Sequence, residues 1–156
     1  AASLAERLDR INTRRKDLVE VTTEEAMALL NPADPVHVLA GENWHEGILG
    51  IVAGRILRTT GKPAIVLTIK GENAKGSGRS SEALNLFEML DGTRDLMTSF
   101  GGHHAAVGLS LPVGNIADLK AQSFQYVTEH ELSSGMNLQI DAALPLAAVS
   151  VEFIKT

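Results

Sequence analysis

Between Val36 and Ile69, three consecutive segments constrain the architecture more than any other part of the chain. Val36-His37-Val38-Leu39-Ala40 reads as a short strand. Glu46 to Thr60 reads as a helix that is apolar nearly all round, through Ile48, Leu49, Ile51, Val52, Ile56 and Leu57, and such a helix is buried on most sides. Gly47, Gly50 and Gly54 give it a smooth face for a close neighbour; Gly61 closes it and Pro63 follows. Ala64 to Ile69 is a continuous apolar strand, typical of a sheet covered on both faces. Strand, helix, strand in this order predicts a right-handed parallel crossover. The expected fold class is therefore α/β, a mixed β-sheet flanked by helices and preceded by an N-terminal helix.

That first helix is read from Leu4, Leu8, Ile11 and Leu18 at helical spacing, with Arg7, Arg10, Arg14, Arg15 and Lys16 on its other faces. The β-branched patch Val19, Val21, Thr22, Thr23 weakens it, and Thr22-Thr23-Glu24-Glu25 looks like a capping box opening a second piece that runs to Leu30. Asn31-Pro32 ends that piece. Beyond Ile69, Lys70 to Ser81 is rich in glycine and small polar residues and reads as a loop. Leu84 to Leu90 and Arg94 to Phe100 read as short helices, the second stopped by Gly101. Val107, Leu109 and Leu111 mark a strand with one buried face. Asn115 to about His130 is an amphipathic helix, Leu138 to Asp141 alternates as a strand, and the tail from Ala142 is apolar without a clear period.

At 156 residues, with 44% hydrophobic and 21% charged residues, the chain can build a core without staples. It has no cysteine, which removes disulfides, thiolate metal sites and cysteine nucleophiles and fits a reducing, cytoplasmic setting. No apolar run is long enough to span a membrane and no secretory signal is visible. The first residue is not Met and the chain opens inside a helical pattern, as expected of a fragment of a longer protein. The net charge of −5 argues against general coating of nucleic acid. A polyanion would have to be held by a few placed cations.

Three stretches could supply such a site. In Lys75-Gly76-Ser77-Gly78-Arg79-Ser80 the glycines would expose backbone N–H groups in a nest, the serines add hydroxyls, and Arg79 offers a planar fork suited to phosphate. A flexible hairpin loop is the simpler reading of the same residues. It is not a Walker loop, because the spacing and the Lys-Ser/Thr ending are missing. In Trp44-His45-Glu46-Gly47, His45 is either a helix cap or a ligand contact. In Gly101-Gly102-His103-His104 the glycines permit a tight strand entry that presents an imidazole, or else an ordinary turn with one core and one surface histidine. Neighbouring histidines on a strand point to opposite faces and do not readily share an ion, so no metal site is expected in this chain. A second histidine four residues after His45 is absent, Leu49 standing there, and no nucleophile elbow is present.

Taken in order, these stretches resemble the DHH-associated domain of the DHH phosphoesterase family. The family's Trp-His-x-Gly lead into an Ile-Gly-Ile-Val-Ala helix is matched by Trp44 to Ala53, and its Lys/Arg-Pro strand by Lys62 to Leu67. Its Lys-Gly-Ser-x-Arg-Ser is matched by Lys75 to Ser80, and its Gly-Gly-His-x-x-Ala-x-Gly by Gly101, Gly102, His103, Ala106 and Gly108. The resemblance covers roughly residues 36 to 132 and is strongest to the single-strand-specific exonuclease branch. It implies a connector helix over 1–33, a substrate-binding domain over 34–133 and a lead into an oligonucleotide-binding domain over 134–156. It implies that Ser77, Arg79, Ser80 and His103 grip substrate phosphates, with Gly101, Gly102, His45 and Lys75 beside them, while His104 sits at a free position. Arg79 and His103 should then share the wall of one open cleft.

The Asp-His-His domain that would carry Mn or Mg is absent from this sequence and would precede Ala1, so the chain alone is expected to be inactive and to carry no cofactor. The implied activity is 5′-to-3′ hydrolysis of single-stranded DNA in repair and recombination. Single-stranded DNA and the two missing domains are the expected partners, with no membrane. Two other readings remain open. One is a relative that cleaves short oligoribonucleotides or cyclic dinucleotides. The other is an RNA-binding module like the one that ends alanyl-tRNA synthetases, where a third glycine usually stands in place of His103.

Overall fold

The strand–helix–strand expected between Val36 and Ile69 forms as β1 (His37–Glu42), α2 (Leu49–Thr60) and β2 (Ala64–Lys70), with β1 and β2 parallel and in register from His37 against Ala64. A single 3-10 turn, Glu46–Ile48, leads into α2, and Gly61 in the left-handed conformation (φ 70°) closes it, its N–H bonded to the Leu57 carbonyl at 2.8 Å. Leu49, Val52, Ala53 and Ile56 of α2 are fully buried, while Ile51 and Leu57 are only half-buried. The computed structural model describes residues 2–130. Besides these elements it contains α1 (Ala2–Ala28), β3 (Asn73–Arg79), α3 (Leu86–Asp91), β4 (Ser99–His103), β5 (Ala106–Pro112) and α4 (Ile116–Glu129). The strand expected at Leu138–Asp141, the apolar tail and the segment 134–156 lie outside the described residues.

The sheet is five-stranded and mixed, in the order β1-β2-β3-β5-β4, with every pair after β1–β2 antiparallel. Alternation along the strands divides the core in two. Val38, Ile65, Leu67, Val107, Leu109 and Leu111 point to one face and pack with Leu86, Met89 and Leu90 of α3 and Leu119 and Val127 of α4. Leu39, Ala64 and Val66 point to the other and pack with α2 and with Val19 and Ala26 of α1. On that second face α2 lies against β2 and β3.

Several local expectations are corrected. The helix α1 is continuous: Thr23 donates its hydroxyl to the Val19 carbonyl one turn back instead of capping a new helix. The stripe Leu4, Leu8, Ile11, Leu18 does not face the core, being 61, 58, 56 and 38% exposed. The β-branched patch makes the contact instead, through Val19 and Thr22, together with Ala26. Trp44, buried, anchors α1 by donating its indole N–H to Glu25 Oε2 at 2.6 Å. The stretch Lys75–Ser80 is not a loop or a nest; residues up to Arg79 form β3, the central strand, with ladder partners on both sides. Arg94–Leu96 is one 3-10 turn, and Ser99–His103 is the edge strand β4, not the end of a helix. His104 is therefore not on a strand: with Ala105 it forms the turn from β4 to β5.

Candidate nucleic-acid interface

Residues directly opposite one another on antiparallel strands project to the same face. The registers of β3, β5 and β4 thus set out parallel rows on the face that carries α2. Arg79, Ala106 and His103 form one row; Ser77, Gly108 and Gly101 the next; Lys75, Ser110 and Ser99 the third. The first row continues onto Ala64 of β2, the second onto Val66 and the third onto Thr68. Ser99, Gly101, His103 and Gly108 are exposed. The β5–β4 side of this face is thus an open polar floor, beside the part occupied by α2.

Arg79 lies half-buried at the inner margin of this floor. Its Nη1 donates to Ser77 Oγ at 2.9 Å and to its neighbour Gly78 O at 2.7 Å, while Ser77 Oγ donates to the Val107 carbonyl at 3.0 Å. The guanidinium lies against α2 at Gly50, where a Cβ would come within 2.7 Å of Nη2. Gly50 thereby makes room for the fork, and two hydrogen bonds hold it. His103 ends β4 and is exposed two strands away in the same row. Gly102 has φ 153°, and a Cβ there would collide with the Ala106 carbonyl oxygen, so this close hairpin needs glycine. Gly101 faces the open floor.

Lys75 is paired with Glu46 at 2.9 Å, and Lys70 reaches the other oxygen of the same carboxylate at 2.7 Å. Hydrogen bonds and attraction from Lys70 and then Lys75 lower the Glu46 pKa to about 2. His45 caps the 3-10 turn, its Nδ1 accepting from Gly47 N at 3.1 Å, with the ring exposed. Ser80 is set apart from the others: its hydroxyl is buried and donates to the Leu84 carbonyl at 3.0 Å, which ties down the turn after β3. His104 is exposed, and its carbonyl accepts from Leu86 N at 2.8 Å at the start of α3.

The fold therefore brings Lys75, Ser77, Arg79, Gly101 and His103 onto one face and leaves Ser80 off it. Sequence reasoning named Gly50 and Gly108 within matched motifs but gave them no site role, and it missed Thr68, Ser99 and Ser110. Strand alternation from Lys75, Ser77 and Arg79, carried across the registers, is the signal that finds Thr68, Ser99, Gly108 and Ser110. Cations, hydroxyls and an imidazole on an open floor can bind and orient a phosphodiester. Among the described residues no group of three or more His, Asp or Glu could hold a metal ion.

A family model for the DHHA1 domain matches residues 33–129, and the chain belongs to that family. Within it, the chain is similar to proteins named single-stranded-DNA-specific exonuclease RecJ. It is 37% identical over 127 residues to the one from Bacillus subtilis (strain 168), covering 78% of this chain and 16% of that protein. It is 33% identical over 141 residues to the one from Salmonella typhimurium (strain LT2), covering 83% of this chain and 24% of that protein. Among solved structures, RecJ from Thermus thermophilus in complex with Mg2+ superposes with a TM-score of 0.75 at 31% identity, covering 81% of this chain and 20% of that one. The chain spans less than a quarter of the length of these relatives. Among the described residues no helix is long and apolar enough to cross a membrane.

Proposed function

We propose that this chain is the substrate-gripping part of a single-strand-specific DNA exonuclease of the RecJ type, working in repair and recombination. The observation that carries this reading is the Arg79–Ala106–His103 row on the open floor, in a chain 31–37% identical to exonucleases of that name. Arg79 supplies a fixed positive fork and His103 a hydrogen-bonding ring on the other side of Ala106. A phosphodiester lying over Ala106 would be held from both sides and oriented for in-line attack. The metal-assisted step belongs to a DHH domain outside this chain, with Mn2+ or Mg2+ as the ion; residues described here only bind and orient.

In this reading 1–33, which holds α1, is the connector, 34–133 is the gripping domain, and 134–156 leads to an oligonucleotide-binding domain. The exposed stripe Leu4, Leu8, Ile11, Leu18 of α1 would rest against the metal-bearing half. The setting is cytoplasmic and the polarity 5′-to-3′. The test is direct. The 156-residue chain should bind 5′-phosphorylated oligothymidylate at low salt, in preference to duplex, and should leave it uncut in Mn2+ or Mg2+. Preference for duplex, or cleavage that persists through purification, would overturn it.

A further inference from the structure

Beside the Arg79–His103 and Ser77–Gly101 rows lies a pocket of about 240 Å³ that neither row accounts for. Its walls include Glu46, Thr68, Lys70, Lys75, Thr98 and Ser110. Thr68, Lys75 and Ser110 are register partners across β2, β3 and β5, two residues further along the strands than the Ser77 row. The pocket contains an unsatisfied polar group: Thr68 is 1% exposed, and its Oγ1 has no hydrogen-bond partner among the described residues. A buried hydroxyl without a partner is uncommon and costly, and a ligand oxygen would satisfy it. Among the described residues that line the pocket, the Glu46 carboxylate, bonded to Lys70 and Lys75, is the only anion.

We propose that this pocket is a further phosphate subsite, and that in the free protein the Glu46 carboxylate stands where the phosphate binds. The proposal rests on the single-strand reading above and deepens it. Successive rows are two residues apart, ~6.8 Å along an antiparallel strand. An extended polynucleotide repeats its phosphates along a nearly straight line at a comparable distance. A single strand running parallel to β3 and β5 would set one phosphate between Arg79 and His103, a second over Ser77 and Gly108, and a third in this pocket. There Lys75 and Lys70 exchange the carboxylate for the phosphate, and Ser110, Thr98 and Thr68 offer hydroxyls. A duplex strand winds its phosphates around the helix axis, so they do not follow the straight line of the rows. The subsite thus rewards an unstacked strand of at least three phosphates.

The test is binding of 5′-phosphorylated thymidylates of two and four nucleotides to the 156-residue chain at low salt, with thermal melting in parallel. Lys75→Gln should weaken the tetranucleotide about tenfold, lower its salt slope by about 1, and leave the dinucleotide unchanged. Thr68→Val should weaken the tetranucleotide while melting no earlier than the parent; a purely structural Thr68 would give the same melting with no change in binding. Glu46→Gln should tighten the tetranucleotide several-fold, whereas Glu88→Gln, the same charge change on α3 beneath the other face, should not. If Arg79→Ala weakens both oligonucleotides but the Lys75, Thr68 and Glu46 variants treat the two lengths alike, the subsite is overturned and the single-strand reading stands. If Arg79→Ala weakens neither, both fall.

Discussion

On the side of β3 turned toward α3, a Cβ at Gly76 would collide with the Val66 carbonyl oxygen, and one at Gly78 would stand 2.8 Å from Leu86 and Val107. On the opposite side of the sheet, a Cβ at Gly108 or Gly101 would meet nothing within 4 Å, and neither glycine has a positive φ. The first pair is required by packing. The second pair is required by nothing among the described residues, although glycine weakens a strand through its extra backbone entropy. A position that gives up stability without a folding reason marks a surface kept clear for something else. The contrast is between a part of the sheet closed by packing and the β5–β4 part of the other face, which is the part proposed above to meet a ligand.

Gly76→Ala should break the packed face with the largest effect, a loss of about 3 kcal/mol read in urea unfolding, because the collision is with backbone that cannot move aside. An unchanged midpoint would mean that the two faces do not differ. Next comes Arg79→Ala, expected to leave folding intact but weaken single-strand binding by about 2 kcal/mol, roughly thirtyfold, as removal of a charged hydrogen-bond donor does. His103→Ala should act in the same direction, and His104→Ala, in the exposed turn, should be nearly silent; equal losses from the two histidines would displace the site. Gly108→Ala sharpens the contrast with Gly76: its stability should stay within about 0.5 kcal/mol of the parent, while binding falls about tenfold through obstruction of the floor. A variant that loses stability and keeps binding would reverse the assignment of the faces.

The smallest expected effect is a pH slope set at the edge of the sheet. His37 is 1% exposed, and burial, then the nearby Lys62, lower its pKa from 6.5, with Asp34 opposing and Lys120 adding to the shift. The unfolded chain takes up a proton below 6.5 that the folded chain refuses, so stability present above that pH declines as the pH falls toward the lowered folded value. Glu46 has the same sign in a lower window, since its pairing is lost between 4.5 and about 2. Urea midpoints measured from pH 7.5 to 5 should fall in the parent and flatten in His37→Phe. An equal slope in that variant would locate the titration elsewhere.

The legible parts of this fold were those whose burial is set by their own sequence. Ala64–Ile69 is apolar at every position but Thr68, the 49–60 helix is apolar nearly all round, and 107–111 alternates cleanly; each formed at its expected place. β3 was hidden because every second residue on its packed side is alanine or glycine, which conceals the two-residue period carried by Lys75, Ser77 and Arg79. β4 was hidden because pairing with β5, and contact between Phe100 and Phe87 at 5.0 Å, define it more than local preference does. Periodicity showed that α1 has an apolar stripe but could not show that the described residues leave it uncovered. Ser77 and Ser80 look interchangeable in sequence; register alone puts one hydroxyl at the floor and ties the other to Leu84.

The third place of β3 among the five strands has a kinetic consequence. A central strand bonded on both sides opens only when the sheet itself comes apart, so the amides of Lys75 to Arg79 should be among the last to exchange with deuterium. The side chains on that strand therefore start from a backbone that has no disorder left to lose when a ligand arrives. Lys75 and Arg79 are already held by partners before anything binds. Association should accordingly show little ordering entropy and little dependence on chain flexibility. On the proposed function, the conformational adjustment would fall instead on the nucleic acid, which would have to straighten to match a rigid ruler.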